Sequence, residues 1–401
     1  MLDFDTAQAT LAGRAHAPDT TETLPLDALH GRVLAEDVAA EVDLPRADNS
    51  AMDGYALRCA DAAPGAMLPI QAFQYAGHEP EALRPGHAIR LFTGSLIPEG
   101  AEAVIMQEDT EATDGGVRIL RAPQAGDHVR RRGEDMRRGE VILRRGTRIG
   151  PAQIAVLAAQ GRAAAAAYPR MRIGILTNGD ELVPPGQALG PAAVHNSNGP
   201  MLAALCRGMG ADPAAVLHAP DQAEAIASAL DELSRTCDLV FSVGGASVGD
   251  KDLVKPAIEA LGGTLDLWRV RMKPGKPVAL ASLNGRPLIC LPGNPVSAFV
   301  VFTLLATPLL RGLQGRRDIL PPVWRGVLRT DRRWGGERDD FLRVQVAHQP
   351  DAPAALTPHG QQSSGAMASL AWAHGLARVP AGTEAGEGTL VDWYPLADWL
   401  A

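Results

Sequence analysis

The alternation of apolar and polar positions changes texture twice along the chain. From about residue 58 to 134 it consists of short apolar runs, GAMLPI, HAIRLFTG, AEAVIMQED and GVRILRAP, cut by Gly and Pro. That spacing predicts a small β domain built of hairpins. Before it, residues 5–15 carry a helical pattern with Asp5 as the cap, and RVLAEDVAAEVDLP reads as strand-like. After it, PAQIAVLAAQG predicts a helix with Pro151 near its start and Gly161 at its stop.

At Arg172 the pattern becomes alternating strand and helix. RIGILTNGDEL reads as a buried strand running into a polar turn, GPMLAALCRGMG as a helix, and AAVLHAPD as a strand. DQAEAIASALDELSR predicts a helix with Asp221 as N-cap and Glu224 three residues on. DLVFSVGG, DLVKPAIEALGG and PLICLPGNP continue the series as strand, helix, and strand into helix. Such alternation predicts a parallel-rich sheet with crossover helices, a three-layer α/β domain. Ligands of these sheets sit at the carboxyl ends of the strands. The polar turns NGDEL, VGGASVGDKD and LPGNPVS fall at those ends. The apolar stretch 296–310 carries Ser297, Thr303, Thr307 and Pro308, is short for a bilayer, and predicts a buried helix. After about residue 318 the β pattern returns, predicting a small C-terminal β domain.

Composition narrows the function classes. The chain has 401 residues, enough for several cores, with 46% apolar and 21% charged residues. Aromatics are only 4% and the net charge is −8, so neither a base-stacking surface nor an overall basic footprint for nucleic acid is present. Four scattered cysteines, with no CxxC pair, speak against a zinc or iron–sulfur site and suit a reducing compartment. The start, MLDFDTAQAT, has acids where a signal peptide needs bases, so a cytoplasmic protein without membrane attachment is expected.

Several motifs carry candidate chemistry, each with a plainer alternative. In VGGASVGDKD, Gly244 and Gly249 have P-loop spacing, but Asp250 stands where the lysine belongs, which excludes a Walker-type loop. The stretch is either a tight turn before a helix or an anion loop whose Gly244 and Gly245 N–H groups face a phosphate, with Asp250 and Asp252 suited to a hard cation. MKPGKP sets Lys273 and Lys276 on a stiff turn, either as solvated surface charge or as a compact oxyanion site. In LPGNPVSA, Pro292, Gly293 and Pro295 shape a turn that places Ser297 in the first helical turn, again a plain cap or an anion site. Asp180 and Glu181 follow a buried strand, and Thr93 with Gly94 in FTGS is a hairpin or a binding turn. LPRADNSAMDGYAL, residues 44–57, gathers Asp48, Asn49, Ser50 and Asp53 among small residues.

Together these stretches resemble the molybdopterin molybdenumtransferases, the MoeA family related to the gephyrin E domain. LPRADNSAMDGYAL, LFTGSLIPEGAEAVIMQEDT, RRRGEDMRRGEVILRRGTRI, LTNGDEL, SNGPML, SVGGASVGDKDLVKPAIEALGG, MKPGKPVAL and LPGNPVSAFVVF occur in the family's order. They cover most of residues 40–310. The resemblance implies four parts: an elongated domain I from residues 1–40 and 130–166, a β domain II at 41–129, an α/β molybdopterin-binding domain III at 167–318, and a β-barrel-like domain IV at 319–401. It also implies a homodimer and a partner enzyme, a molybdopterin adenylyltransferase.

The implied reaction joins molybdate to adenylylated molybdopterin and releases AMP with the help of Mg²⁺. On this resemblance Asp53, Glu181 and Asp252 are catalytic, and Glu181, Asp250 and Asp252 hold the metal. Thr93, Asp135, Gly244, Gly245, Ser247, Lys273, Lys276, Pro292, Gly293, Asn294, Pro295, Ser297, Arg338 and Ser364 bind substrate. Which carboxylate serves as base stays open. Asn196 stands where the family usually carries Asp, and an amide neither binds a cation as strongly nor acts as a base, so it receives no catalytic role. Two alternatives are an adenylyltransferase sharing the domain III fold and a non-catalytic scaffold. The first is usually one short domain, and the second is opposed by the retained Lys273, Lys276, Ser297, Glu181 and Asp53.

Overall fold

The computed structural model describes residues 1–244 and 253–401, with the backbone alone for residues 266–268. Gly245, Ser247, Asp250 and Asp252 therefore lie outside the described residues. Compactness divides the chain into two units: residues 37–144 with 155–163, and the remainder.

The larger unit is organised by a six-stranded mixed sheet, in the order Asp212–Ala219, Arg172–Asn178, Leu239–Val243, Arg286–Leu291, Pro277–Leu283 and Thr264–Arg269. The first four strands are mutually parallel, and the last two extend the sheet antiparallel. Period-two alternation fills both faces. Ile173, Ile175, Phe241, Ile289 and Leu291 pack on one side, and Leu176, Val240, Leu288 and Cys290 on the other. The second face is covered by helices Ala223–Thr236 and Val254–Ala260, which contribute Ile226, Leu230, Leu233, Val254 and Ile258.

The first face is covered by the predicted buried helix, which runs from Pro295 to Leu313. It is long and apolar enough to span a membrane by length and composition, yet 94% of its most apolar window is buried in the protein, as a core helix requires. Its middle, residues 302–306, widens into a π-turn. Pro308 explains this, because it has no N–H to donate to the Leu304 carbonyl four residues back. The side chain of Gln8 supplies the missing donor at 2.7 Å.

Gln8 lies on the first helix, Phe4–Ala12, which buries Phe4, Ala7 and Leu11 on one face. Its cap is Asp3, whose Oδ1 accepts the Thr6 N–H at 2.9 Å, and not Asp5 as the pattern suggested. The Asp5 carboxylate is engaged elsewhere, accepting two bonds from Arg378, each 2.8 Å. A similar correction applies to helix Ala223–Thr236. Gln222 occupies the N-cap without a side-chain bond, while Asp221 accepts from Asn178 Nδ2 at 3.3 Å.

A second six-stranded sheet forms the C-terminal part of this unit, with Asp339–Gln349 as its longest strand. One of its members comes from far away in sequence. Met272–Lys273, between two strands of the α/β sheet, pairs in parallel with Asp339 and Asp340.

The smaller unit contains a four-stranded sheet, Ile70–Gln74, Ala88–Leu91, Gly54–Leu57 and Ala103–Met106, and a three-stranded one. The β structure predicted from the short apolar runs is present, but not as a series of hairpins: Ile70–Gln74 and Ala88–Leu91 pair in parallel, Gly54–Leu57 pairs with strands distant in sequence, and Thr110–Thr113 with Gly116–Ile119 forms a hairpin. Gly54 is required by close approach, since a Cβ there would overlap the Ile105 carbonyl.

The helix-to-sheet contact gives a stability prediction. Phe302 is fully buried and its ring centroid lies 5.3 Å from that of Phe241. Phe302→Ala should cost about 3–5 kcal/mol, seen as a lower urea midpoint with the denaturant slope unchanged. An unchanged midpoint would show that this contact does not stabilise the core.

Candidate functional site

Because the parallel strands point the same way, their polar exit turns collect at one end of the sheet. Asn178 ends one strand and Glu181 follows it, Val243 ends the next and Gly244 follows it, and Pro292, Gly293 and Asn294 follow the third. With the 273–276 turn they line a cavity of about 810 Å³, which Arg338 and residues 362–364 also line. The structure thus brings together Glu181, Gly244, Lys273, Lys276, Pro292, Gly293, Asn294, Pro295, Ser297, Arg338 and Ser364 from the expected set.

Each wall has a local cause. Pro295 opens the long helix, and its first intrahelical bond runs from the Ala298 N–H to the Asn294 carbonyl at 2.9 Å. The N–H groups of Val296 and Ser297 therefore open from the helix end, where the dipole favours an anion. Ser297 is only 4% exposed. Asn198 Nδ2 donates to the Gly293 carbonyl at 2.7 Å and ties this turn to helix Asn198–Gly208. The lysine turn lies against the same long helix. Gly275 has φ +110°, and a Cβ on it would overlap the Val301 side chain, so only glycine fits.

The cavity is cationic. Lys273, Lys276 and Arg338 line it, and Glu181 is the one carboxylate lining it among the described residues. Lys273 Nζ donates to Asp340 Oδ2 at 3.1 Å, from a half-exposed lysine to a side chain only 5% exposed. Burial pushes the Asp340 carboxyl above the ordinary range, against the opposing pull of Lys273. Arg343, fully buried on the same strand, carries the 361–363 segment. Its Nη2 donates to the carbonyls of Gln361 (3.4 Å) and Ser363 (3.1 Å), and its backbone N–H to Gln362 Oε1 at 3.0 Å. Burial pulls the Arg343 pKa down to about 10, so it stays charged at neutral pH.

Other polar residues of these turns are structural. Asp180 accepts the Asp221 N–H at 3.0 Å and joins two strand-end turns. Asn196 donates to Thr177 Oγ1 at 2.8 Å and accepts the Gly199 N–H at 3.1 Å. Its amide thus ties the end of strand Arg172–Asn178 to the first turn of helix Asn198–Gly208, using one group for each.

Asp53, Thr93 and Asp135 belong to the smaller unit. Asp53 Oδ1 accepts both the Thr93 hydroxyl (2.7 Å) and the Thr93 N–H (2.8 Å). These two bonds hold its carboxyl below the usual 3.8, so it is ionised at neutral pH. Asp48 accepts from Arg131 Nη1 at 2.6 Å and from the Arg132 N–H at 2.8 Å, which fixes the turn. Asp135 is exposed, and its N–H donates to the Leu44 carbonyl at 3.0 Å.

Sequence reasoning missed Asn178, Asn198, Asp340, Arg343 and Gln362. The Oδ1 atoms of Asn178 and Asn198 are buried and have no partner among the described residues. For Asp340 a signal was available, since two successive acids at the start of an apolar strand are unusual for a buried segment.

Family models match most of the chain, in order. Residues 2–161 match the MoeA N-terminal region (domain I and II), residues 174–312 a probable molybdopterin binding domain, and residues 325–396 the MoeA C-terminal region (domain IV). The chain is 34% identical to the molybdopterin molybdenumtransferase of Haemophilus influenzae, over 86% of this chain and 85% of that protein. It is 36% identical to molybdopterin molybdenumtransferase 2 of Mycobacterium tuberculosis, over 89% and 90%. The crystal structure of the molybdopterin biosynthesis MoeA protein from Pyrococcus horikoshii superposes with a TM-score of 0.82 at 27% identity, covering 98% of this chain and 99% of that one. The chain belongs to the molybdopterin molybdenumtransferase family, enzymes of molybdenum cofactor biosynthesis. The adenylyltransferase alternative is not favoured, because the relatives that match along the chain are named as molybdenumtransferases.

The Asp53–Thr93 pair gives a pH prediction. Thr93→Val removes the hydroxyl donor and keeps the N–H, so the Asp53 carboxyl should titrate at higher pH in the variant, followed by ¹³C NMR. Its depressed folded value contributes stability that is present above about 3.8, the unfolded value, and fades as pH falls through the folded one. That acid-side loss should shrink in the variant, and identical titrations would show that the hydroxyl does not bond Asp53 in solution.

Proposed function

We propose that this protein joins molybdate to the dithiolene of adenylylated molybdopterin and cleaves the pyrophosphate link to release AMP. The observation that carries the reading is the cationic cavity at the strand ends, which Lys273, Lys276 and Arg338 line together with the open helix terminus at Ser297. Molybdate is a dianion, and charge-assisted bonds from these groups are the interactions that suit it. Family membership supplies the substrate class.

The chain's own residues take these roles. Lys273 and Lys276 bind the oxyanion as point charges, with Ser297 donating its hydroxyl. Arg338 and Ser364 contact the substrate from the C-terminal sheet's side of the cavity. Gly244, Pro292, Gly293, Asn294 and Pro295 shape the phosphate-facing wall, and Gly245 and Ser247, outside the described residues, are assigned to substrate binding on the family resemblance. Glu181 orders the attacking water, and Asp53 and Asp252 are the further catalytic acids. Thr93 holds Asp53 ionised and oriented, and Asp135 contributes to substrate binding.

Mg²⁺ would take an oxygen donor from Glu181, the exposed carboxylate that lines the cavity among the described residues, where no cluster of three metal-ligating side chains is present. Glu181 would hold it with Asp250 and Asp252. When bound, the ion offsets phosphate charge in the cleaved link. We further propose the four-part domain division, a homodimer, a cytoplasmic location, and delivery of substrate by a molybdopterin adenylyltransferase.

Purified, Mg²⁺-loaded protein should release AMP from adenylylated molybdopterin only when molybdate is added, and no release from folded protein would contradict the proposal. Lys276→Ala should raise the molybdate Kd about 10- to 100-fold, the equivalent of ~1.5–3 kcal/mol for one charge-assisted contact, with an unchanged Tm because the side chain is exposed. Unaltered affinity would remove Lys276 from the pocket.

A further inference from the structure

We propose that Asp340 is a positioning residue for this reaction, its buried carboxylate holding the Lys273 ammonium in place at the cavity wall. The proposal rests on the reading of Lys273 as an oxyanion contact. Lysine is a flexible stem with a point charge at its end, and an untethered lysine places that charge poorly. Lys273 is half exposed and lines the cavity, so packing alone does not fix its ammonium.

Its tether is rigid. Asp340 sits in a regular strand, opposite Lys273 on one side and opposite Val379 on the other. Its side chain is 5% exposed and lies 3.1 Å from Lys273 Nζ. The preceding aspartate serves a different purpose. Asp339 accepts from Arg378 Nε at 3.0 Å and from the Ala381 N–H at 3.4 Å, which are bonds within the C-terminal sheet region. Alternation along the strand sends the two acids to opposite faces, and only Asp340 meets the cavity's lysine.

Stability does not account for a carboxylate at this position. Burial pushes its pKa up even with Lys273 alongside, so desolvation opposes its ionisation and the lysine contact offsets only part of that cost. The two-residue strand Met272–Lys273 also carries the second cation, since Arg338 Nη1 donates to the Met272 carbonyl at 3.4 Å. Two of the three cavity cations among the described residues are therefore set by one short pairing between the lysine turn and the C-terminal sheet.

The test uses the full-length protein, with molybdate titrated calorimetrically and AMP release followed kinetically. Asp340→Asn should fold with a Tm at or above that of the wild type. Its molybdate Kd and KM should rise about fivefold to tenfold while kcat stays within about twofold, the signature of lost ground-state placement. Added to Lys273→Met, the same substitution should weaken binding no further, because the residue acts only through the lysine. An unchanged Kd in Asp340→Asn, with Lys273→Met clearly weakened, overturns the proposal and leaves the oxyanion reading standing. An unchanged Kd in Lys273→Met overturns both. Should Asp340→Asn fail to fold, Lys273→Met alone decides: stranding a buried carboxylate should lower Tm by several degrees, and an unaltered Tm overturns the pairing.

Discussion

The two-residue pairing of Met272–Lys273 with Asp339 and Asp340 is the constraint on which the cavity depends. The lysine turn arises between strands of the α/β sheet, but its backbone belongs to the C-terminal sheet. One sheet supplies the strand-end turns and the helix terminus. The other supplies Arg338, residues 362–364 and the anchor for Lys273. Neither sheet alone makes a cationic pocket, because each contributes only part of the wall.

The α/β layer explains why a polar, cationic cavity forms here at all. Parallel strands direct their exit turns to one end, and burial of both sheet faces leaves those turns as the polar surface. The long helix adds open N–H groups at the same end and holds Gly275 against Val301. Its π-turn at Pro308, repaired by Gln8, shows how the first helix is bound to the same core. The arrangement is rigid where charge must be placed, and the buried Arg343 extends that rigidity to the 361–363 segment.

Much of this was legible in the sequence, and the reasons are local. Period-two apolar runs ending in NGDEL, VGG and LPGNP located the strands and the turns that line the cavity, since strand and turn chemistry are written in neighbouring residues. The lysine turn and Ser297 were legible for the same reason. Asp340 was legible only as an unusual acid at the start of an apolar strand; its role was not, because its partner lies 67 residues away. Arg343 was hidden likewise, as an arginine within an apolar strand reads as solvent-facing until its carbonyl partners are seen. The cap assignments at Asp5 and Asp221 failed because tertiary partners, Arg378 and Asn178, claim those carboxylates. Local pattern identifies a residue able to cap, while long-range pairing decides whether it does.

The central claim is that the cavity between these two sheets is the oxyanion site. Anomalous diffraction at the molybdenum edge, from crystals soaked at low molybdate concentration, tests it most directly. The account predicts one strong peak within hydrogen-bonding distance of Lys273 Nζ, Lys276 Nζ and Ser297 Oγ. A peak bound elsewhere, with this cavity empty in active protein, would contradict it.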